Sequence, residues 1–141
     1  MNEWRTVILG PALSRKELFT AIELHRVNAS QDNDLKVTFT VNGEVMGSRL
    51  NKLSSGESAT IEVKVEDADE FPSTYLIELF YDRGPKGQKA SVVATQLIDD
   101  NASAKFTHKP FAGKGYYFAR VTSKSGTNKN FKAWTAPVWF E

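Results

Sequence analysis

The sequence contains no cysteine among its 141 residues. This absence excludes disulfide bonds, thiol catalysis and zinc sites with cysteine ligands. The sequence also lacks a run of about 18 apolar residues, so it predicts no membrane-spanning helix. The formal net charge is only +1, which gives no overall field for attracting nucleic acid or a membrane surface. We therefore expect a domain whose partners are neither nucleic acid nor membrane.

Groups that carry out catalysis are also scarce. The two histidines, His25 and His108, have no second histidine at the spacing of metal ligands, so structural or surface roles are expected for both. Residues 84–87 (Gly-Pro-Lys-Gly) form a predicted turn, but no helix follows them as a phosphate-binding loop requires. The sequence thus predicts no catalytic, cofactor-binding or metal-binding residue. A stand-alone enzyme is a weaker interpretation than an accessory domain or an independent binding module.

Most of the chain has the pattern of β-strands. Apolar residues alternate with polar ones over residues 35–41 and 59–66, which predicts two strands with one buried face each. Tyr75, Ile77, Leu79 and Tyr81 line one face of a third strand, and residues 91–98 and 104–108 are predicted as the fourth and fifth. A hairpin with a Ser-Gly-Thr-Asn turn follows at residues 115–140. Strands at this spacing predict an immunoglobulin-like β-sandwich of about seven strands.

The C-terminal hairpin contains the spacing of a tyrosine corner, in which a buried tyrosine hydroxyl bonds to nearby backbone. Tyr117 is the corner residue, and Ala119 takes the place of the usual cysteine. Because alternate strand residues face opposite ways, Tyr117 should be structural, whereas Tyr116, Phe118 and Arg120 should share the other face. Further aromatic residues follow, and the predicted interface or ligand surface comprises Tyr116, Phe118, Arg120, Trp134 and Trp139.

The N-terminal part has helical features instead. Ser14 and Glu17 form a capping-box pattern, which predicts a helix over about residues 15–25. Residues 6–9 are strand-like almost directly after Met1, and the start is too short and too acidic for a signal peptide. We expect residues 1–30 to be a junction to an upstream domain and residues 31–141 to be the sandwich. The sequence does not determine the cellular compartment of the protein, and an extracytoplasmic compartment is slightly favoured over the cytoplasm.

Acidic and amide residues cluster at residues 32–34, 67–70 and 99–101. Such clusters supply oxygen ligands to calcium in some proteins. They are also common in turns, because Asp and Asn side chains bond to their own backbone. Turn formation is the preferred interpretation of these segments.

Several short motifs resemble a known family when taken in order. The matching segments are residues 26–30 (Arg-Val-Asn-Ala-Ser), 32–35 (Asp-Asn-Asp-Leu), 41–43 (Val-Asn-Gly), 46–47 (Met-Gly), 116–121 and 133–139. They are similar to the region that follows the catalytic barrel in PHP-superfamily metal-dependent hydrolases of the CehA/McbA type. Asn28 replaces an aromatic residue of that pattern, and Asn33 and Asp34 are exchanged.

The resemblance implies a non-catalytic accessory sandwich that packs on the catalytic barrel of the same polypeptide. It implies a divalent metal in that upstream barrel and none in this chain, since the family's histidine-containing metal motifs do not occur here. The alternative is an independent module that binds carbohydrate or another surface ligand through its exposed aromatic residues.

Overall fold

The computed structural model describes residues 3–69, 72–83 and 89–141. Within these residues the chain forms twelve strands and one helix. The elements are β1 (Arg5–Ile8), α1 (Arg15–Glu23), β2 (Val27–Ser30), β3 (Lys36–Val41), β4 (Glu44–Val45), β5 (Arg49–Leu50), β6 (Ala59–Glu66), β7 (Thr74–Asp82), β8 (Ser91–Asp99), β9 (Ser103–His108), β10 (Gly115–Ser123), β11 (Lys132–Thr135) and β12 (Val138–Phe140). The predicted mainly β fold with one N-terminal helix is therefore confirmed.

The larger sheet has eight strands and is centred on β10. On one side β10 pairs antiparallel with β7, and β7 pairs with β8. On the other side β10 pairs with both β11 and β12. The sheet continues from β11 through β2 to β1, and from β12 to the parallel strand β5.

The smaller sheet has the order β4-β3-β6-β9, and all of its pairings are antiparallel. Along β6 the burial alternates strictly, with Ala59, Ile61, Val63 and Val65 buried and Thr60, Glu62 and Lys64 exposed. One apolar face of this sheet therefore packs inward, as period-2 patterning requires. Buried side chains of both sheets form a single core, to which the larger sheet contributes Tyr75, Ile77, Leu79, Tyr117, Ala119, Val121, Val138 and Phe140.

The predicted strands are all present, and the additional ones are short. The final predicted strand is divided into β11 and β12 by residues 136–137, where Pro137 has no N–H to donate to the sheet. Asn42 and Gly43 form the predicted tight turn between β3 and β4 with φ values of 51° and 82°. Residues 84–87, predicted as a turn, and Glu70 lie outside the described residues.

The helix begins and ends with recognisable capping motifs. Ser14 is the N-cap, and its hydroxyl accepts a hydrogen bond from the Glu17 N–H at 3.2 Å. At the other end, the N–H of Arg26 donates to Ala21 O and that of His25 to Ile22 O, which is a Schellman motif. His25 takes the left-handed conformation usual for glycine there, with φ of 54°. No helix in the described residues has the length and apolar character needed to cross a bilayer.

The C-terminal end of the helix packs directly on a glycine of the β4–β5 connection. A Cβ atom added to Gly47 would lie 2.8 Å from the carbonyl carbon of His25 and would also collide with Leu24 O. The Gly47 N–H donates to Pro137 O at 2.8 Å. The glycine thus holds the helix end, the β4–β5 connection and the segment between β11 and β12 together.

We predict that Gly47→Ala destabilises the domain more than Gly43→Ala does. Both glycines have positive φ, 90° and 82°, so both substitutions incur backbone strain. Only at Gly47 does the new Cβ meet other atoms, since nothing lies within 4 Å of a Cβ at Gly43. The free energy of unfolding measured in urea should fall by about 1–3 kcal/mol more for Gly47→Ala. Equal losses would contradict the close contact.

Candidate functional site

The central strand β10 separates a buried set of side chains from a half-exposed set. Tyr117, Ala119 and Val121 are fully buried in the core. Tyr116, Phe118 and Arg120 alternate with them and lie on the outer side of the larger sheet, where they are half-buried. The predicted division of this strand into two faces is confirmed.

Strand register places the predicted surface residues in adjacent rows of the sheet. Tyr116 lies between Asp82 of β7 and Trp139 of β12. Phe118 lies opposite Phe80 of β7. Arg120 lies between Glu78 of β7 and Trp134 of β11. We call Phe80, Tyr116, Phe118, Arg120, Trp134 and Trp139 together the outer aromatic face.

The rings at the centre of the outer aromatic face are stacked. The Phe80 and Phe118 ring centroids are 4.8 Å apart with an interplanar angle of 7°. Tyr116 stacks on Phe118 at 6.1 Å and 18°, and Trp134 lies 6.0 Å from Phe118. Phe80 was not among the predicted surface residues. Phe80 lies between Leu79 and Tyr81, which were predicted to face inward, so the alternation along the strand already indicates that Phe80 faces outward.

Arg120 is neutralised within this face. Its guanidinium donates two hydrogen bonds to the Glu78 carboxylate, at 2.5 and 2.7 Å. It also lies 5.4 Å from the centroid of Phe80 and 5.0 Å from that of Trp134. The hydrogen bond from Arg120 lowers the pKa of the Glu78 carboxyl. Arg120 therefore braces the aromatic rings and is not available as an unpaired anion ligand.

Trp139 lies apart from the stacked rings, beside the end of the helix. Its ring contacts that of His25 edge-on, at 5.6 Å and 73°. The Arg49 guanidinium lies 4.8 Å from the ring centroid and is paired with Glu141. A cleft of about 490 Å³ lined by His25, Arg49 and neighbouring residues opens beside this contact. His25 thus has the expected structural role of packing the helix end on the sheet.

Tyr117 differs from the predicted tyrosine corner in its hydrogen-bond partner. Its hydroxyl lies 2.7 Å from His108 Nδ1, on β9 of the smaller sheet, where backbone was expected. The rings of Tyr117 and Tyr81 are 4.8 Å apart, and Tyr81 also contacts His108. Burial lowers the pKa of His108, which favours the neutral ring, and a neutral ring can share one hydrogen bond with the Tyr117 hydroxyl at Nδ1. The bond links the two sheets.

The helix leaves most of its apolar side chains outside the core. Leu13, Phe19, Ile22 and Leu24 have 92%, 55%, 50% and 43% of their surface exposed. Only Ala21 of the helix is buried. Ile8 of β1 and Leu18 join Leu13, Phe19 and Ile22 around an apolar groove of about 390 Å³. We call Ile8, Leu13, Leu18, Phe19, Ile22 and Leu24 the helix surface.

The acidic clusters, which the sequence assigned to separate turns, meet at one end of the sandwich. Asp32 and Asp34 lie in the connection from β2 to β3, and Asp67 and Asp69 follow β6. Asp100, between β8 and β9, accepts a hydrogen bond from the Asp67 N–H at 2.9 Å. We call Asp32, Asp34, Asp67, Asp69 and Asp100 the acidic end. Their convergence depends on strand pairing, so no local sequence signal reveals it.

The carboxylates of the acidic end differ in how many of their oxygens accept a hydrogen bond. Asp100 accepts from the backbone N–H groups of Asp67 and Asn101, and Asp32 accepts from the Asn128 amide at 2.8 Å. Asp67 Oδ2 accepts a hydrogen bond from the Tyr75 hydroxyl. Asp34 Oδ1 and Asp67 Oδ1 are buried and have no hydrogen-bond partner within residues 3–69, 72–83 and 89–141.

Burial and the crowding of like charges raise the pKa values of two carboxyls at the acidic end. Burial raises the pKa of Asp67 to about 6, and the charges of Asp32 and Asp34 add to this shift while the Tyr75 hydrogen bond opposes it. Burial also raises the pKa of Asp34, with contributions from Asp32 and Asp69. The acidic end therefore holds negative charge at a free-energy cost when no cation is bound.

We predict that Tyr117→Phe lowers the free energy of unfolding by about 0.5–1.5 kcal/mol, because one net hydrogen bond to His108 is lost. The same substitution made in a His108→Leu background should cost nothing or stabilise, since the buried hydroxyl then has no partner. Tyr116→Phe, which loses a half-buried bond to Asp82 at 3.1 Å, is the matched control and should cost less. Equal costs of Tyr117→Phe in both backgrounds, measured in urea, would refute the coupling.

Comparison with known proteins leaves the chain without a family assignment. No protein-family model matches the sequence, and no curated protein matches it significantly. The features of the described residues that bear on function are therefore the outer aromatic face, the helix surface and the acidic end.

Proposed function

We propose that this chain is a non-catalytic, immunoglobulin-like accessory domain of a larger PHP-type metal-dependent hydrolase, and that it packs on the catalytic domain of the same polypeptide. The exposure of the helix surface carries this proposal. A helix whose apolar residues face solvent lacks the burial that normally stabilises amphipathic helices. Contiguous exposed apolar residues of this kind mark contact sites.

The helix surface is arranged to receive another domain. Its groove lies between the start of α1 and the edge strand β1, so a partner can cover apolar side chains from both elements. Covering them stabilises a contact at about 25 cal/mol per Å² of apolar area. The helix end itself is anchored by Gly47 and Trp139, which supports a rigid docking platform.

The contacts among the family-like motifs support the resemblance. Residues 46–47 (Met-Gly) pack against the helix end, which leads directly into residues 26–30, and residues 41–43 form the β3–β4 turn. Two of the motifs, residues 26–30 and 46–47, therefore lie where the helix is attached to the sandwich.

The strand order of both sheets and one contact between them support an immunoglobulin-like arrangement. The strands β8, β7, β10 and β11 lie side by side as the C′, C, F and G strands of a variable-type sandwich do. The strands β3, β6 and β9 pair opposite them as the A, B and E strands would. Tyr117 of the F-like strand bonds across to the opposite sheet. In this proposal the divalent metal and the catalytic groups belong to the upstream domain.

The mass of the native protein tests this function. An antibody raised against the chain should capture from the source cells a polypeptide several tens of kilodaltons heavier than the 15.7 kDa of this chain. In that larger protein, a photo-cross-linking amino acid at Phe19 should give intramolecular cross-links to the upstream domain. The same group at Leu97, which is 62% exposed on β8, is the matched control and should give none. A native species of 15.7 kDa, or equal cross-linking from both positions, would refute the proposal.

A second candidate function is carbohydrate binding by the outer aromatic face. The near-parallel, stacked rings of Phe80 and Phe118, with Tyr116 stacked beside them, favour it because an apolar sugar face can pack against exposed aromatic surface. Arg120 and Glu78 border this platform as polar groups.

If carbohydrate binding is the function, calorimetric titration with a panel of glycans should yield one ligand whose affinity falls at least about tenfold, roughly 1.4 kcal/mol, in Phe118→Ala. Phe111→Ala removes an exposed ring outside the outer aromatic face and should leave the affinity unchanged. The absence of binding heat with every glycan, or an equal loss in both variants, would eliminate this function.

A further inference from the structure

The acidic end lies where connections of both sheets meet. The chain passes from β2 of the larger sheet to β3 of the smaller sheet through Asp32 and Asp34. It passes from β6 of the smaller sheet towards β7 of the larger sheet through Asp67 and Asp69. A group bound at the acidic end would therefore contact segments that are distant in sequence and connect different sheets.

The carboxylates there are close enough to share one ion. Asp32, Asp34 and Asp69 each offer one oxygen, and these oxygens lie within 4.8 Å of one another. The ion pairs of the described residues join Arg49 to Glu141, Lys64 to Glu66 and Arg120 to Glu78, so none of them neutralises this cluster. Arg5 and Lys36 line the neighbouring cavities without forming an ion pair there.

A second observation points to a ligand independently of the cluster. Asp67 is only 3% exposed, and its Oδ1 atom is buried without a hydrogen-bond donor among the residues that the structure describes. It lines one cavity of about 270 Å³ together with Asp34, one of the three clustered residues. Asp34 Oδ1 is likewise buried and without a partner. Such oxygens are costly to bury in the ionised form unless a cation or a donor meets them.

We propose that the acidic end is a calcium-binding site in which Asp32, Asp34 and Asp69 are ligands and Asp67 is a buried fourth acidic group that completes or orients the ligand set. All of the offered ligand atoms are carboxylate oxygens, which are the ligands of hard cations. Calcium suits an irregular site on two connections better than magnesium, because calcium accepts 6–8 oxygens in flexible geometry and magnesium requires a near-ideal octahedron. Backbone carbonyls and water would complete the coordination.

Hydrogen bonds around the site orient its ligands before the ion arrives. The Asn128 amide, from the turn between β10 and β11, donates to Asp32 Oδ2. The Tyr75 hydroxyl holds Asp67 Oδ2, which leaves Oδ1 as the oxygen without a partner. Asp100 fixes the backbone of Asp67 by accepting its N–H. These contacts reduce the ordering cost of binding, as outer hydrogen bonds do in other metal sites.

Calorimetric titration of the EDTA-treated chain with CaCl₂ at neutral pH and physiological ionic strength tests the proposal. We expect one calcium ion to bind with a dissociation constant of about 1 mM or lower. The midpoint of thermal unfolding should rise by about 3 °C or more in about 5 mM CaCl₂, because calcium binds only the folded state. The same concentration of MgCl₂ should raise it less.

Variants distinguish a specific site from general ionic effects. Asp34→Asn and Asp69→Asn should each weaken calcium binding at least about tenfold. In EDTA both variants should be at least as stable as the wild type, because each removes one repelling charge. Glu62→Gln removes the same charge from an exposed position of β6 and should leave calcium affinity unchanged. The absence of binding heat, or equal shifts of all four proteins in calcium and magnesium, would overturn the proposal.

Discussion

The structure depends on strand β10 pairing along both of its edges. Its hydrogen bonds to β7 on one side and to β11 and β12 on the other join elements from the middle and the end of the chain. Because successive residues face opposite ways, this pairing also assigns Tyr117 to the core and Tyr116 and Phe118 to the outside. A shift of one residue in register would exchange the two sets, so burial of Tyr117 and Val121 specifies the register strongly.

The two sides of this strand meet different physical requirements. On the inner side, the Tyr117 hydroxyl finds His108 on the opposite sheet, which satisfies a buried polar group and connects the sheets. On the outer side, Arg120 pairs with Glu78 and lies against aromatic rings, so a charged residue occupies an apolar surface without remaining unpaired. The charge of Arg120 is thus paired within the outer aromatic face, whereas four apolar side chains of the helix surface have between 43% and 92% of their surface exposed. This contrast is why the helix surface is the stronger argument for a partner domain.

The acidic end differs from the rest of the described molecule in how its charged groups are paired. Elsewhere, charges are paired, as between Arg49 and Glu141, or exposed along the outer sides of strands. At the acidic end, Asp34 and Asp67 each bury one carboxylate oxygen away from solvent and from every hydrogen-bond donor in the described part of the chain. A fold can contain such groups when they bind an ion, because the favourable free energy of ion binding offsets the cost of burying carboxylates close together.

Local patterns were sufficient to predict the helix, the long strands and the two faces of β10. Ser14 and Glu17 marked the helix start because capping depends on a few neighbouring residues, and the alternation over residues 59–66 marked a half-buried strand because side-chain direction has period two. Pro137 indicates an interruption near the end of the chain. That this interruption divides the last strand into β11 and β12 depends on how both halves pair with β10.

By itself, the sequence determined the mainly β architecture, the single N-terminal helix and the absence of cysteine chemistry, since these follow from composition and short-range periodicity. Only the tertiary structure decided that Tyr117 bonds to His108, that Phe80 joins Phe118, and that the helix turns its apolar residues outward. The same holds for the acidic end, where residues 32–34 and 67–69 were indistinguishable from ordinary turns. Their meeting is a property of strand order in two sheets, and strand order is set by long-range packing that no local pattern records.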